Sequence, residues 1–127
     1  MESPAPHILV IEDSADYRAL VVRILQGAGF RVTEAAGFPD AMKAIEGADE
    51  FALLLSDIGM PAGTPHGFSI GAIARRHRPD LKMIYMTGGQ DASQFSLFGR
   101  DATVLQKPFT SDELIAAIKA TLAPDQG

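Results

Sequence analysis

The chain of 127 residues contains no cysteine and only three histidines. Without cysteine it has no disulfide bond, no thiolate nucleophile and no zinc finger. The histidines at positions 7, 66 and 77 are scattered along the chain and do not form a zinc site that could replace one made of cysteines. Thiol chemistry and structural zinc are therefore excluded.

Long apolar runs are also missing, since none approaches the ~18 residues that cross a bilayer. Residues 1–6 have neither the basic region nor the apolar core of a secretory signal. We therefore expect a soluble protein in a bacterial cytoplasm, without insertion into a membrane.

Positive charge is scarce, because 11 lysines and arginines stand against 16 aspartates and glutamates, a formal net charge of −5. Nonspecific nucleic-acid binding needs a basic surface to neutralise phosphates, so direct contact with nucleic acid is not expected. The one basic cluster, residues 75–78, lies where a helix is expected to end, and helix carboxyl ends favour cations. We interpret it as a solvated face, with a partner-binding patch as the alternative.

The length and a hydrophobic content of 46% indicate one packed domain. We expect this domain to cover residues 7–123, between flexible tails at 1–6 and 124–127. We expect a stand-alone protein, with no further domain after residue 123.

The rest of the chain is organised around residues 51–57, an unbroken apolar run that stops at Ser56 and Asp57. A continuous apolar run before a turn-like segment, here residues 59–63, predicts a strand buried on both faces. Asp57 then stands at the carboxyl end of that strand. Because ligands bind at this edge of open parallel sheets, Asp57 is the first candidate functional residue.

Five strand and helix units follow one another along the chain. The predicted strands are residues 7–11, 30–35, 51–57, 82–86 and 103–105. Ser14 is predicted to cap the first helix, and Thr110 with Glu113 forms a capping box for the last. The buried face of the first helix is assigned to Leu20, Val21, Ile24 and Leu25. The fourth helix, between residues 91 and 100, has weak signals and is expected to be short or irregular. This order predicts a doubly wound α/β fold, a parallel sheet with five helices on its two faces.

Four of the five strands bring a polar side chain to their carboxyl ends: Glu12 and Asp13, Asp57, Thr87, and Lys107. Like charges ~4 Å apart repel by roughly 4 kcal/mol at an effective dielectric near 20, so the three carboxylates need a proton or a cation. Mg²⁺ suits such ligands and also accepts phosphate oxygens. Asp57 could then attack phosphorus to form an aspartyl phosphate, with Lys107 and Thr87 contacting the added oxygens.

With these residues in this order, the chain resembles the response-regulator receiver domain of two-component signalling over about residues 7–123. The resemblance implies a flavodoxin-like sheet with strand order 2-1-3-4-5. It implies that Asp57 is the phosphoacceptor. Glu12, Asp13, Asp57 and the backbone carbonyl of Gly59 would hold Mg²⁺.

By the same resemblance, Lys107 is the phosphate partner, Thr87 is the switch hydroxyl, and the Lys107-Pro108 bond is cis. The function implied is acceptance of a phosphoryl group from a histidine kinase or histidine phosphotransfer protein. Binding of a downstream protein partner then changes with the populations of two conformations. We expect a phosphoacceptor with Mg²⁺-dependent self-phosphorylation and autodephosphorylation, not a turnover enzyme.

Other interpretations stay open. Glu12 and Asp13 alone fit a helix start, which favours acids. The whole chain fits an adaptor of the same fold whose binding does not depend on phosphorylation. A phosphohydrolase would usually place a second aspartate two residues after the first, where Gly59 stands. A nucleotide-binding fold lacks its Gly-rich loop after the first strand.

Several positions depart from the receiver pattern. Val104 occupies the place, three residues before the lysine, where receivers usually carry an aromatic ring that reports the state of the threonine. The loop at 62–66 is longer than usual and the span from Thr87 to Lys107 is shorter, which predicts a remodelled partner surface. Gly59 and Gly89 offer no side chain to block water, so we expect no side chain to prolong the life of the phosphoryl group.

Overall fold

The structure, a computed structural model, describes residues 5–57, 67–88 and 102–123, with the side chains at 67–70 and 102 left aside. The expected fourth helix at 91–100 and the loop at 62–66 lie outside the described residues. So do Gly59 and Gly89, which carried the expectations about a metal ligand and water access.

The described chain alternates strands and helices as predicted. The elements are β1 (His7–Ile11), α1 (Ala15–Gly27), β2 (Arg31–Ala35), α2 (Phe38–Glu46), β3 (Leu53–Asp57), α3 (Gly67–His77), β4 (Lys82–Thr87), β5 (Ala102–Gln106) and α4 (Ser111–Leu122). All the strand pairings are parallel, and the order across the sheet is β2-β1-β3-β4-β5. This confirms the doubly wound fold and its strand order. The described residues contain four helices where five were expected, because the remaining one was predicted within residues 91–100.

The predicted caps are confirmed at both helices that carry them. The Ser14 hydroxyl accepts a hydrogen bond from the Tyr17 amide at 3.3 Å and begins α1. Thr110 and Glu113 form the reciprocal capping box of α4, with hydrogen bonds of 2.8 and 3.0 Å. Gly29, after α1, has φ of +92°, a left-handed conformation that glycine adopts readily.

Side chains of the central strands alternate between two cores on opposite faces of the sheet. Leu54 of β3 packs in the core on the side of α2 and α3, whereas Leu53 and Leu55 pack on the side of α1 and α4. All three are completely buried, so β3 has no solvated face. This explains why its sequence is a continuous apolar run.

Two predictions about individual surface residues are wrong. Leu20, assigned to the buried face of α1, is 49% exposed, and Val22 is buried instead. In the basic cluster, Arg76 and His77 are exposed as predicted, but Arg75 and Arg78 are half-buried. The Arg78 guanidinium donates to carbonyl oxygens at the end of α2 at 3.1 to 3.2 Å, where the backbone lacks helical partners. Arg78 therefore joins α3 to α2.

Among the described residues, no helix is both long enough and apolar enough to span a membrane.

Candidate functional site at the carboxyl edge of the sheet

The predicted acidic residues meet at one edge of the sheet. β1 and β3 are neighbours, with Ile11 in register with Ser56, so the residues that follow each strand emerge side by side. Carboxylate oxygens of Glu12, Asp13 and Asp57 all lie within 4.8 Å of one another. Glu12 is 1% and Asp57 6% exposed, while Asp13 is on the surface. Two carboxylates are thus withdrawn from water beside a third that faces it.

Lys107, directly after the outer strand β5, brings a positive charge to this cluster. Its ammonium donates hydrogen bonds to Glu12 Oε2 at 2.9 Å and to Asp57 Oδ1 at 3.4 Å. The bond to Pro108 is cis, as the resemblance implied. The Lys107 side chain is 21% exposed, so the ion pair is partly shielded from solvent.

Burial and charge shift the pKa values of this pair. Burial raises the pKa of Glu12 above 4.5, the Asp57 charge raises it further, and hydrogen bonds from Lys107 and the Ser14 amide oppose the rise. Burial by itself would lower the pKa of Lys107, but its hydrogen bond to Glu12 and the charge of Asp57 raise it above 10.5. The hydrogen bond from Lys107 therefore does not fully offset the burial of the Glu12 carboxylate.

Thr87 and Val104 lie on the strands next to this cluster. Asp57 is in register with Met86, which places Thr87 one residue further along β4 at the same edge. Thr87 is 7% exposed, and its carbonyl oxygen accepts a hydrogen bond from the Lys107 amide at 2.7 Å. Val104 is half-buried in β5, in register with Tyr85.

Arg18, which sequence reasoning did not identify, supports the backbone of the site. Its guanidinium donates to the Glu12 carbonyl oxygen at 2.8 Å and to Glu34 Oε1 at 3.2 Å. The side chain of Glu12 also accepts from the Ser14 amide at 3.2 Å. Nothing in the spacing of α1 distinguishes Arg18 from a solvated arginine, so no sequence signal pointed to it.

Two aromatic rings were also missed, Tyr17 next to the ammonium and Phe109 packed against Tyr17. Lys107 Nζ lies 4.3 Å from the centroid of the Tyr17 ring. The Tyr17 ring meets Phe109 edge to face, with centroids 5.9 Å apart and planes at 82°. The available signals were weak: Tyr17 follows the helix cap by three residues, and Phe109 directly follows the Lys107-Pro108 pair.

The donor set fits a hard divalent cation. Three carboxylates supply oxygen ligands on one small patch, and burial together with the charge of Asp57 raises the pKa of Glu12. Mg²⁺ binds through one or two carboxylates and keeps waters and phosphate oxygens as its other ligands. The described residues therefore match Mg²⁺ in charge and ligand type.

Comparison with known proteins gives a consistent result. The family model of the response regulator receiver domain matches residues 8–119. The response regulator receiver protein CpdR of Brucella abortus is 37% identical over 119 residues, which cover 91% of this chain and 95% of CpdR.

Solved structures agree with this likeness. The crystal structure of a response regulator receiver protein from Sinorhizobium medicae superposes with a TM-score of 0.84 at 28% identity, over 93% of this chain and 94% of that one. The response regulator TrrA of Thermotoga maritima, solved in complex with Mg²⁺ and BeF, gives 0.75 at 28% identity, over 92% and 99% of the two chains. The chain therefore belongs to the response regulator receiver family of two-component signalling.

Proposed function

We propose that this receiver accepts a phosphoryl group on Asp57 from a histidine kinase or histidine phosphotransfer protein, and that phosphorylation changes its binding to a downstream protein. The observation that carries the proposal is the bridge of Lys107 between Glu12 and Asp57, at 2.9 and 3.4 Å, inside a cluster of three carboxylates. Receivers act in two-component systems together with histidine kinases, which supports this class of donor.

In the proposed reaction, a carboxylate oxygen of Asp57 forms a bond to phosphorus while the bond from phosphorus to the donor's nitrogen breaks. The ammonium of Lys107, already 3.4 Å from Asp57 Oδ1, hydrogen-bonds an oxygen of the added group. The hydroxyl of Thr87, one residue beyond the register partner of Asp57, is the proposed contact for another oxygen.

Glu12, Asp13 and Asp57 are the proposed Mg²⁺ ligands, with the backbone carbonyl of Gly59 as a fourth. When bound, Mg²⁺ supplies positive charge to the oxygens of the transferring group. The protein's part is to hold the carboxylates together and to shield Asp57 from bulk water.

We propose that hydrolysis of the aspartyl phosphate resets the protein, so it acts as a phosphoacceptor and not as a turnover enzyme. Histidine kinases use cytoplasmic ATP, so we propose that this receiver acts in the cytoplasm. The second candidate function is binding that does not depend on phosphorylation. Val104 favours it, because a half-buried valine in β5 lacks the large ring that usually reports phosphorylation.

The test is phosphorylation of the purified protein by acetyl phosphate with Mg²⁺, followed by intact mass. The wild type should gain one phosphoryl group that hydroxylamine removes, and Asp57→Asn should gain none. Asp80→Asn is the matched control, because Asp80 is exposed in the turn before β4, at the opposite edge of the sheet. An unlabelled wild type, or a labelled Asp57→Asn protein, would contradict the proposal.

The two candidate functions are separated by an Asp57→Ala variant in the host. Loss of the signalling response supports the phosphorylation-dependent function. A normal response from the variant favours the adaptor.

A further inference from the structure

Tyr17 contacts the ammonium that the proposed chemistry depends on. Lys107 Nζ lies 4.3 Å from the centroid of the Tyr17 ring while it donates to Glu12 and Asp57. A cation at this distance from an aromatic ring is attracted by the ring's quadrupole, more strongly where water is partly excluded. Lys107 therefore has an aromatic partner in addition to its two carboxylate partners.

The Tyr17 ring is held in place from two separate parts of the chain. Its backbone amide donates to the Ser14 hydroxyl at 3.3 Å, which places it in the first turn of α1. Its ring packs edge to face on Phe109, with centroids 5.9 Å apart, beyond the end of β5. The position of the ring is thus defined before any ligand binds.

We propose that Tyr17 is a positioning residue for phosphoryl chemistry at Asp57, and that its ring holds the Lys107 ammonium over the carboxylates. The inference rests on the proposed function. It assigns to Tyr17 a role in the rate of the reaction.

The physical reason lies in the unequal carboxylate contacts. The hydrogen bond to Glu12 is short at 2.9 Å, and the one to Asp57 is long at 3.4 Å and correspondingly weak. Contact with a phosphoryl oxygen on Asp57 shifts the ammonium toward Asp57 and weakens its hydrogen bond to Glu12. Attraction to a ring depends less on direction than a hydrogen bond does, so the ring retains the ammonium during this movement.

Packing alone is the competing explanation for Tyr17, and substitutions separate the two. Tyr17→Phe keeps the aromatic ring without the hydroxyl. Tyr17→Leu and Tyr17→Met keep apolar volume without the ring, and both residues are good helix formers. If the ring acts on Lys107, phenylalanine restores what leucine and methionine lose.

The experiment measures the rate of phosphorylation by acetyl phosphate with Mg²⁺. A small donor is used so that any contact of α1 with a protein donor does not enter the result. Tyr17→Leu and Tyr17→Met should slow phosphorylation two- to tenfold, the range expected for losing such a contact, and Tyr17→Phe should stay within about twofold of the wild type. Equal rates in all four proteins, or a phenylalanine variant as slow as leucine, would overturn the inference.

A second measurement does not depend on phosphorylation. The ε-methylene protons of Lys107 should show an upfield ring-current shift in the NMR spectra of the wild type and Tyr17→Phe, and lose it in Tyr17→Met. Absence of the shift from the wild type overturns the inference even if Tyr17→Leu fails to fold. A wild type that takes no phosphoryl group refutes the proposed function, whereas a labelled wild type with an unaffected Tyr17→Met refutes only the role of Tyr17.

Discussion

Lys107 makes its shorter hydrogen bond to Glu12, at 2.9 Å, and its longer one, at 3.4 Å, to the proposed phosphoacceptor. The ammonium therefore compensates the more deeply buried carboxylate, which is 1% exposed. Since Glu12 is also a proposed Mg²⁺ ligand, a bound metal ion and the ammonium would share it. The stability of the folded protein should therefore depend both on Lys107 and on Mg²⁺.

Removing the Lys107 charge should destabilise the protein through Glu12. Lys107→Met leaves a buried carboxylate without its cation, and we expect the free energy of unfolding to fall by about 1–3 kcal/mol, less than for a completely buried pair because Lys107 is partly exposed. Urea unfolding with EDTA present measures this. Lys119→Met, at an exposed position of α4, is the control and should change little. Equal unfolding midpoints for the two variants would contradict the expectation.

Mg²⁺ should raise the melting temperature by binding the folded state. A ligand at ten times its Kd adds roughly 1.4 kcal/mol, and each kcal/mol is worth about 2–8 °C in a domain of this size. Asp13→Asn should reduce the shift, because Asp13 belongs to the carboxylate cluster. Asp16→Asn, one turn away on α1 and also exposed, should leave it intact. No shift of the wild type at millimolar Mg²⁺ would argue against the metal site.

Gly71 of α3 should not tolerate a methyl group. A Cβ there would overlap the Tyr85 hydroxyl and lie 2.9 Å from Met83 Sδ, both buried in β4. Overpacking of this kind costs about 1–3 kcal/mol, against which alanine gains up to about 1 kcal/mol of helix propensity. We expect Gly71→Ala to be destabilised in urea unfolding.

The matched control for Gly71→Ala is Gly27→Ala, because a Cβ at Gly27 of α1 meets nothing within 4 Å. It should be neutral or slightly stabilising. Adding Tyr85→Phe to Gly71→Ala removes the overlapping hydroxyl and should recover part of the loss. A double variant no more stable than Gly71→Ala would show that the hydroxyl is not the obstacle.

Stability should rise with pH through the titration of His7. Burial lowers the pKa of His7 below 6.5, Arg31 lowers it further, and Asp49 opposes this. The folded state thus binds the proton less tightly than the unfolded state. The contribution of His7 is fully present above about pH 6.5 and is lost as the pH falls through the folded pKa.

Urea midpoints between about pH 5 and 8 measure the His7 effect. His7→Gln removes the titrating group, so the pH dependence of its midpoint should be smaller than that of the wild type below about pH 6.5. His77→Gln, at an exposed position of α3, should follow the wild type. Parallel curves for His7→Gln and the wild type would exclude a contribution from His7.

Much of the site could be predicted because its residues follow strands whose patterns are clear. The continuous apolar run before Asp57 indicated a strand buried on both faces, and the structure buries Leu53, Leu54 and Leu55 completely. Parallel strands end at one edge, so Asp57, Glu12 and Lys107 were expected together before any distance was measured.

Positions on helices were predicted less well. A stripe of apolar residues defines a face only to within about one residue, which is why Leu20 was assigned to the buried face of α1, where the structure buries Val22 instead. Tyr17 and Arg18 lie in the first turn of α1, where sequence alone does not show which side chains turn toward the end of β1 and which face solvent. Arg78, directly after α3, was misplaced because its hydrogen-bond partner lies at the end of another helix, α2.

By itself the sequence determined the class of fold, the approximate positions of the strands and the types of side chain at the carboxyl edge, because these depend on local patterns of burial and on chain direction. The tertiary structure alone decided which of these side chains pair. Lys107 is 95 positions from Glu12 and 50 from Asp57. At such separations no local sequence pattern predicts which of the two carboxylates makes the shorter contact with the lysine. The pairing depends on strand order and on the packing of α1 against the sheet, which place Glu12, Asp57 and the Tyr17 ring around one ammonium.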